Sequence, residues 1–166
     1  VLRGARLGVL PLRAAPEESH LSQALAEALA EALARFRWLT LFDSASLHAQ
    51  ARALGTGRDV PLEVARITGL DFVLTGSVQR SGDRVRASLR LTDLRQPETV
   101  VWARRFDRQT ADIIELQDDI AAEVVAQIDP EILLIEAARA ASRPAVQPSA
   151  YDHLLRAIPA IYRLDK

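Results

Sequence analysis

Arginines 84, 86 and 90 lie in the stretch GSVQRSGDRVRASLRLTD (76–93), which reads as two strands folded around Ser81-Gly82-Asp83. Successive strand side chains point to opposite faces. Arg84, Arg86, Ser88, Arg90 and Thr92 therefore share one face, and Val85, Ala87, Leu89 and Leu91 share the other. A row of guanidiniums on a sheet admits three readings: an anionic ligand, a protein contact, or the solvated side of a sheet covered on one face only. Sheets that bind single-stranded nucleic acid set aromatic rings among their basic residues so that bases can stack. This face has no aromatic, and the chain carries a net charge of −1. Solvation or protein contact fits better than nucleic acid, so Arg84, Arg86 and Arg90 are the candidate protein-contact face.

The other residues capable of chemistry are scattered. Asp112, Glu115, Asp118, Asp119 and Glu123 follow helical spacing, which puts them on the wet side of an amphipathic helix rather than in a catalytic carboxylate pair. His20, His48 and His153 fall one per element, and the chain has no cysteine. A metal site needs a closer set of ligands than that. Gly55-Thr56-Gly57 is an isolated glycine pair in a loop, explained by turn geometry. Lys166 is the only lysine, so no P-loop or Schiff-base chemistry is available inside the fold. No nucleophile elbow, dinucleotide-binding glycine motif or zinc-protease motif is present. Trp38 and Trp102 have apolar neighbours and read as packing residues. No catalytic, metal or cofactor residue is assigned, and the chain is not expected to be an enzyme.

The elements that must carry these residues follow from hydrophobic period. Residues 5–12 read as a buried strand. A helix follows, capped by Ser19, with Leu21, Leu25, Leu29, Leu33 and Phe36 on one stripe. A strand at 36–43 precedes a helix at 44–54 that is closed by Gly55. A third helix runs from Pro61 to Gly69. Strands at 71–80, 84–93 and 99–107 come next without an intervening helix. On the last of them Val100, Trp102 and Phe106 are apolar on one side, interrupted by Arg104. A long helix begins near Thr110, and Asp129-Pro130 is expected to break it and start another. The predicted fold is an α/β (α+β-like) mixed five-stranded sheet in the element order β-α-β-α-α-β-β-β-α, with helices packed on it and further C-terminal helices. The expected divisions are an α/β domain at 1–129, a helix and proline-bearing linker at 130–148, and at 149–166 the first helix of a helical-repeat region.

Apolar residues make up 49% of 166 positions, enough for a core that needs no disulfide or metal. The chain starts at Val1 without any methionine and reads as a piece of a longer protein. It contains no apolar run of 18 or more residues, so membrane contact by this segment is not expected.

The stretches LGVLPL, ALARFRWLTLFDSAS, GLDFVLTGSVQRSGDRVRASLRLTDL, VVWARRFDRQTADIIELQDDIAAEVVAQIDPEI and AYDHLLRA resemble the TolB-amino-terminal-like domain of bacterial multidomain regulators. That resemblance implies a non-catalytic domain of a transcriptional regulator, followed by tetratricopeptide repeats. It would pass partner or ligand binding to a DNA-binding domain outside the segment. The alternatives are the regulatory domain of a class III nucleotide cyclase or kinase, or a structural dock for helical repeats. The expected partners are other domains of the same polypeptide and other proteins, with DNA engaged only through an absent domain. Self-association through a sheet edge or the helix at 131–142 is an open alternative. The resemblance implies a cytoplasmic location, or a periplasmic one if a membrane helix precedes residue 1. The loop RAAPEESHLSQ is shorter than its counterpart in the family, so no ligand role is carried over to it.

Overall fold

Apolar residues on both sides of a short strand need cover on both faces, and β1 (Ala5–Val9) obtains it inside a mixed sheet. The computed structural model describes residues 5–36, 39–55, 57, 60–95, 98–109 and 112–142. A 3-10 turn at Pro16–Glu18 leads into α1 (Ser19–Leu33), which returns the chain to β2 (Leu39–Leu41). Two helices, α2 (Ser44–Leu54) and α3 (Val60–Thr68), then carry it to β3 (Phe72–Ser81) on the other side of β1. β4 (Arg84–Asp93) and β5 (Thr99–Gln109) follow as antiparallel neighbours, and α4 spans Ile113–Ser142. The strand order is β2-β1-β3-β4-β5, with β1 parallel to β2 and β3. This is the mixed five-stranded α/β class and element order expected from the sequence.

Alternation divides the sheet into two unequal faces. Leu7 and Val9 of β1, Phe72, Leu74 and Val78 of β3, and Val85, Ala87, Leu89 and Leu91 of β4 pack under α1 and α4 in the main core. Leu10, Leu70 and Val73 pack instead with Leu47 and Ala51 of α2 and Val64 and Ala65 of α3. That second layer packs mainly on β1 and β3. Among the described residues, most of the β4–β5 half of the sheet is therefore covered on one side only.

Several sequence expectations need correction. Asp129-Pro130 does not break the helix, because α4 runs through Pro130. A proline inside a helix removes one hydrogen bond and costs about 3 kcal/mol. Leu116, Ile120, Val124, Ile128 and Ile132 stay buried in one stripe across it, and their burial offsets that cost. The expected boundary at 129/130 thus falls inside a continuous helix. Ser19 is not a cap, since the 3-10 turn leads straight into α1 and Glu18 holds the cap position. Val100 does not share a face with Trp102. A bulge between Leu91 and Thr92 pairs Trp102 with Leu91 and Val100 with Thr92, so Val101 is the extra residue. Val100 is turned outward, 49% exposed. Trp38, Thr110, His153, the linker from 143 and the proposed repeat helix at 149–166 lie outside the described residues.

Two local constraints hold β3 and α4 in place. A Cβ at Gly76 would lie 2.1 Å from the backbone oxygen of Ser88, so only glycine permits this approach of β3 to β4. At the other end, Asp93 and Glu136 are buried and share Arg95, while Arg139 adds a second partner for Asp93. Arg95 Nε donates to Asp93 at 3.1 Å, and Arg139 Nη2 donates to the same carboxylate at 2.8 Å. Arg95 also binds Glu136 and lies 4.8 Å from the centre of the Phe72 ring. Burial alone would push the Asp93 carboxyl up; the hydrogen bonds from Arg95 and Arg139 outweigh it and hold Asp93 below the ordinary carboxylate value.

Gly76→Ala is expected to lower folding stability by about 2 kcal/mol or more, read as a lower urea midpoint. The depressed Asp93 pKa means that the unfolded chain takes up this proton first as pH falls. Stability from this group is complete above the unfolded carboxylate value of about 4 and is lost as pH drops towards the native value. Urea midpoints measured across that range should fall less steeply in Asp93→Asn than in the wild type.

Candidate functional site

The arginines of the β3–β5 half are sorted by face. On the helix-covered side, Trp102, Arg104, Phe106 and Arg108 alternate along β5. Arg104 and Arg108 both reach Glu123 of α4, at 3.1 and 2.9 Å. Their guanidiniums lie 4.8 and 5.6 Å from the centre of the buried Phe106 ring. Trp102 Nε1 donates to Gln127 at 3.0 Å. Arg104, which interrupts the apolar pattern, thus pairs with a helix while its side chain stays partly open to water. Glu123, assigned from spacing to the wet side, is its partner.

On the open side the candidate face divides. Arg86 binds Asp107 at 3.2 Å, and Arg84 lies 3.8 Å from the same carboxylate. One acid on the neighbouring strand therefore offsets two of the three predicted arginines. Arg90 is exposed, and its guanidinium has no protein partner among the described residues.

Arg90 has two companions that the sequence did not single out. Arg13 forms a parallel bridge with Ser77, Ser77 pairs with Ser88, and Ser88 pairs with Arg105. These four residues make one row across the sheet, with serines between two arginines. Three inter-strand steps separate the outer two, roughly 14 Å between their Cα atoms. Arg90 stands two residues along β4 from Ser88, opposite Thr75 and Ala103. Arg13, Arg90 and Arg105 rim a trough of about 480 Å³ floored by Ser77, Ser88 and Ala103. Among the described residues no carboxylate lines it. A second groove of about 380 Å³ shares Arg13 and Arg90 and extends it towards Thr92 and Val100. The carboxylate in that extension, Glu98, is held by Arg66 at 3.0 Å.

Arg13 is fixed by its backbone. Its N–H donates to Gly76 O at 2.8 Å, and its own carbonyl accepts from Val78 N at 2.7 Å. The Ser22 hydroxyl of α1 donates to the carbonyl of Leu12 just before it. Arg13 therefore leaves the sheet where β1 ends. At that point the chain has placed β2 on one side of β1 and β3 on the other, the switch point at which open α/β sheets form crevices. The loop denied a ligand role on grounds of length thus supplies one side of the trough. The one sequence signal for Arg13 is that it is the only charged residue between positions 10 and 15.

The remaining candidates do not join this trough. His20, Asp112, Glu115, Asp118 and Asp119 are exposed. The described residues contain no group of three or more metal-ligating side chains. His48 buries an unpartnered Nε2. Burial, the largest influence, holds its imidazole below the ordinary value, and a backbone hydrogen bond at Val9 opposes that in part. Gly55 closes α2 with φ 108° and ψ −155°, a conformation open almost only to glycine.

A scan of known protein families finds no match. The chain is 29% identical over 162 residues to "Putative adenylate cyclase 3" of Rhizobium meliloti (strain 1021). The alignment takes in 96% of this chain but only 27% of that protein. The fold is similar to lipoprotein GNA1162 from Neisseria meningitidis, with a TM-score of 0.53 and 20% identity over 75% of this chain and 96% of the other. It is also similar to the PelC dodecamer from Paraburkholderia phytofirmans, with a TM-score of 0.51 and 17% identity over 75% and 87%. These findings overturn the assignment to the TolB-amino-terminal-like domain of transcriptional regulators. Solved proteins of this fold include a lipoprotein and PelC, and none of these comparisons supports transcription regulation, tetratricopeptide repeats or DNA. The alternating hairpin and amphipathic helices that suggested the family are properties of the sheet topology, and different families can share them.

Unpaired guanidiniums react with phenylglyoxal faster than those held by carboxylates. Mass spectrometry of briefly treated protein should find Arg13, Arg90 and Arg105 modified several-fold faster than Arg86, Arg95 and Arg108.

Proposed function

We propose that this chain is a non-catalytic regulatory domain of a nucleotide-cyclase polypeptide, working by contact with other domains or proteins. The alignment with a protein named as an adenylate cyclase carries the reading: almost the whole chain matches about a quarter of that protein. The carboxylates give it further support. Cyclase chemistry needs acidic side chains gathered to hold metal ions, and the described residues contain no group of three or more metal-ligating side chains; Asp93, Asp107, Glu98, Glu123 and Glu136 are instead paired with arginine. Asp43 and Asp112 are committed to backbone N–H groups at helix starts. A regulatory role beside a cyclase fits a cytoplasmic location, where nucleotide substrates are made.

A second reading, an interaction domain of the cell envelope, draws on the likeness to lipoprotein GNA1162, nearly all of which superposes on this fold. The absence of cysteine permits either compartment.

The purified chain should form no cyclic AMP or cyclic GMP from ATP or GTP with Mg²⁺ or Mn²⁺. Deleting residues 5–142 from its parent polypeptide should leave nucleotide cyclisation measurable and alter its regulation. Turnover by the chain alone, or fractionation of the parent with the envelope and no cyclase activity, would overturn the cyclase reading.

A further inference from the structure

We propose that the Arg13–Arg90–Arg105 trough binds a small polyanion through at least two oxyanion groups, phosphate or carboxylate. This inference does not depend on the cyclase reading, because it concerns binding by the chain itself. The first argument is the gathering of arginines that have no carboxylate partner. Arg66, Arg84, Arg86, Arg95, Arg104, Arg108 and Arg139 all stand within ion-pair distance of a carboxylate. Among the described residues Arg6, Arg35, Arg52 and Arg80 form no ion pair either, but Arg13, Arg90 and Arg105 come from three separate segments and line one trough. Like charges gathered this way repel one another, and an anion set between them relieves the repulsion.

The shape supports a small ligand. Guanidinium forks match carboxylate and phosphate oxygens in paired hydrogen bonds. The hydroxyls of Ser77 and Ser88 lie between the outer two arginines and can donate to the same oxygens. Larger floor residues would fill the space; Ser77, Ser88 and Ala103 leave about 480 Å³, within the range of small-molecule sites. The backbone of Arg13 is held by hydrogen bonds through its N–H and its carbonyl, so the point from which this arm of the site projects is fixed.

The same lining disfavours the larger anions. Among the described residues no aromatic side chain borders the trough, so nucleobases have nothing there to stack on. A domain with net charge −1 lacks the broad positive field of a duplex binder. An acidic peptide would need apolar anchor pockets beside the charges, and this floor is made of serine and alanine.

Isothermal titration of the 166-residue protein with inorganic pyrophosphate, and separately with citrate, at an ionic strength held constant with KCl, tests the proposal. At least one of the two should saturate at one equivalent. Arg90→Ala/Arg105→Ala should weaken that binding at least tenfold with an unchanged melting temperature, while Arg84→Ala stays within twofold of wild type. Saturation by pyrophosphate alone assigns phosphate-bearing ligands, and saturation by citrate alone assigns carboxylates. Failure of both anions to saturate overturns the proposal. So does an Arg84→Ala loss as large as that of the double variant, since the effect would then be general charge. Tighter binding of an oligoglutamate peptide than of either anion would overturn it in favour of protein docking.

Discussion

Five apolar side chains four residues apart, Leu116, Ile120, Val124, Ile128 and Ile132, press α4 against the sheet and stay in register past Pro130. Around that stripe α4 carries the polar partners for the outer strands. Glu123 takes Arg104 and Arg108, Gln127 takes the Trp102 indole, and Glu136 with Arg139 joins the pair of Asp93 and Arg95. If the helix had ended at Pro130, Ile132, Glu136 and Arg139 would no longer be placed by the same stripe. The buried Asp93 would then lose one of its two arginine partners, a large cost for a desolvated charge. The continuity of one helix therefore governs how the β4–β5 half is held.

That docking also accounts for the distribution of arginines. β5 carries Arg104, Arg105 and Arg108, and alternation sends the first and third to the helix side and the second to the open side. The helix supplies a carboxylate for those it covers. On the open side Asp107 serves Arg84 and Arg86 at one end of the hairpin, and among the described residues no acid pairs with Arg90 or Arg105. The result is one sheet with a neutralised inner face and a locally cationic outer trough. Arg13 completes that trough from the turn that follows β1.

The likeness to solved structures at 17–20% identity reflects this arrangement of layers, which many sequences can satisfy. What differs between such chains is what each places on the half-open sheet. Here that is a set of guanidiniums over small hydroxyl side chains, the surface on which the anion proposal rests.

Much of the fold was legible in the sequence. The alternation in 84–93, the leucine stripe of α1, the glycine after each of α2 and α3, and the order of the elements are local patterns, set within a few residues by backbone sterics and side-chain period. Arg84, Arg86 and Arg90 were rightly placed on one face for the same reason. What only the tertiary structure decided was non-local. A one-residue bulge at Val101 reverses the faces of the start of β5, and it is defined by pairing with β4 rather than by any residue type. Pro130 remains helical because burial on both sides of it outweighs one lost hydrogen bond. The trough depends on strand order: Arg13 and Arg105 are 92 residues apart in the sequence and meet only because β3 and β4 lie between them. Which arginines are paired is likewise a matter of distance to a carboxylate on another strand or helix, and local period carries no record of that distance.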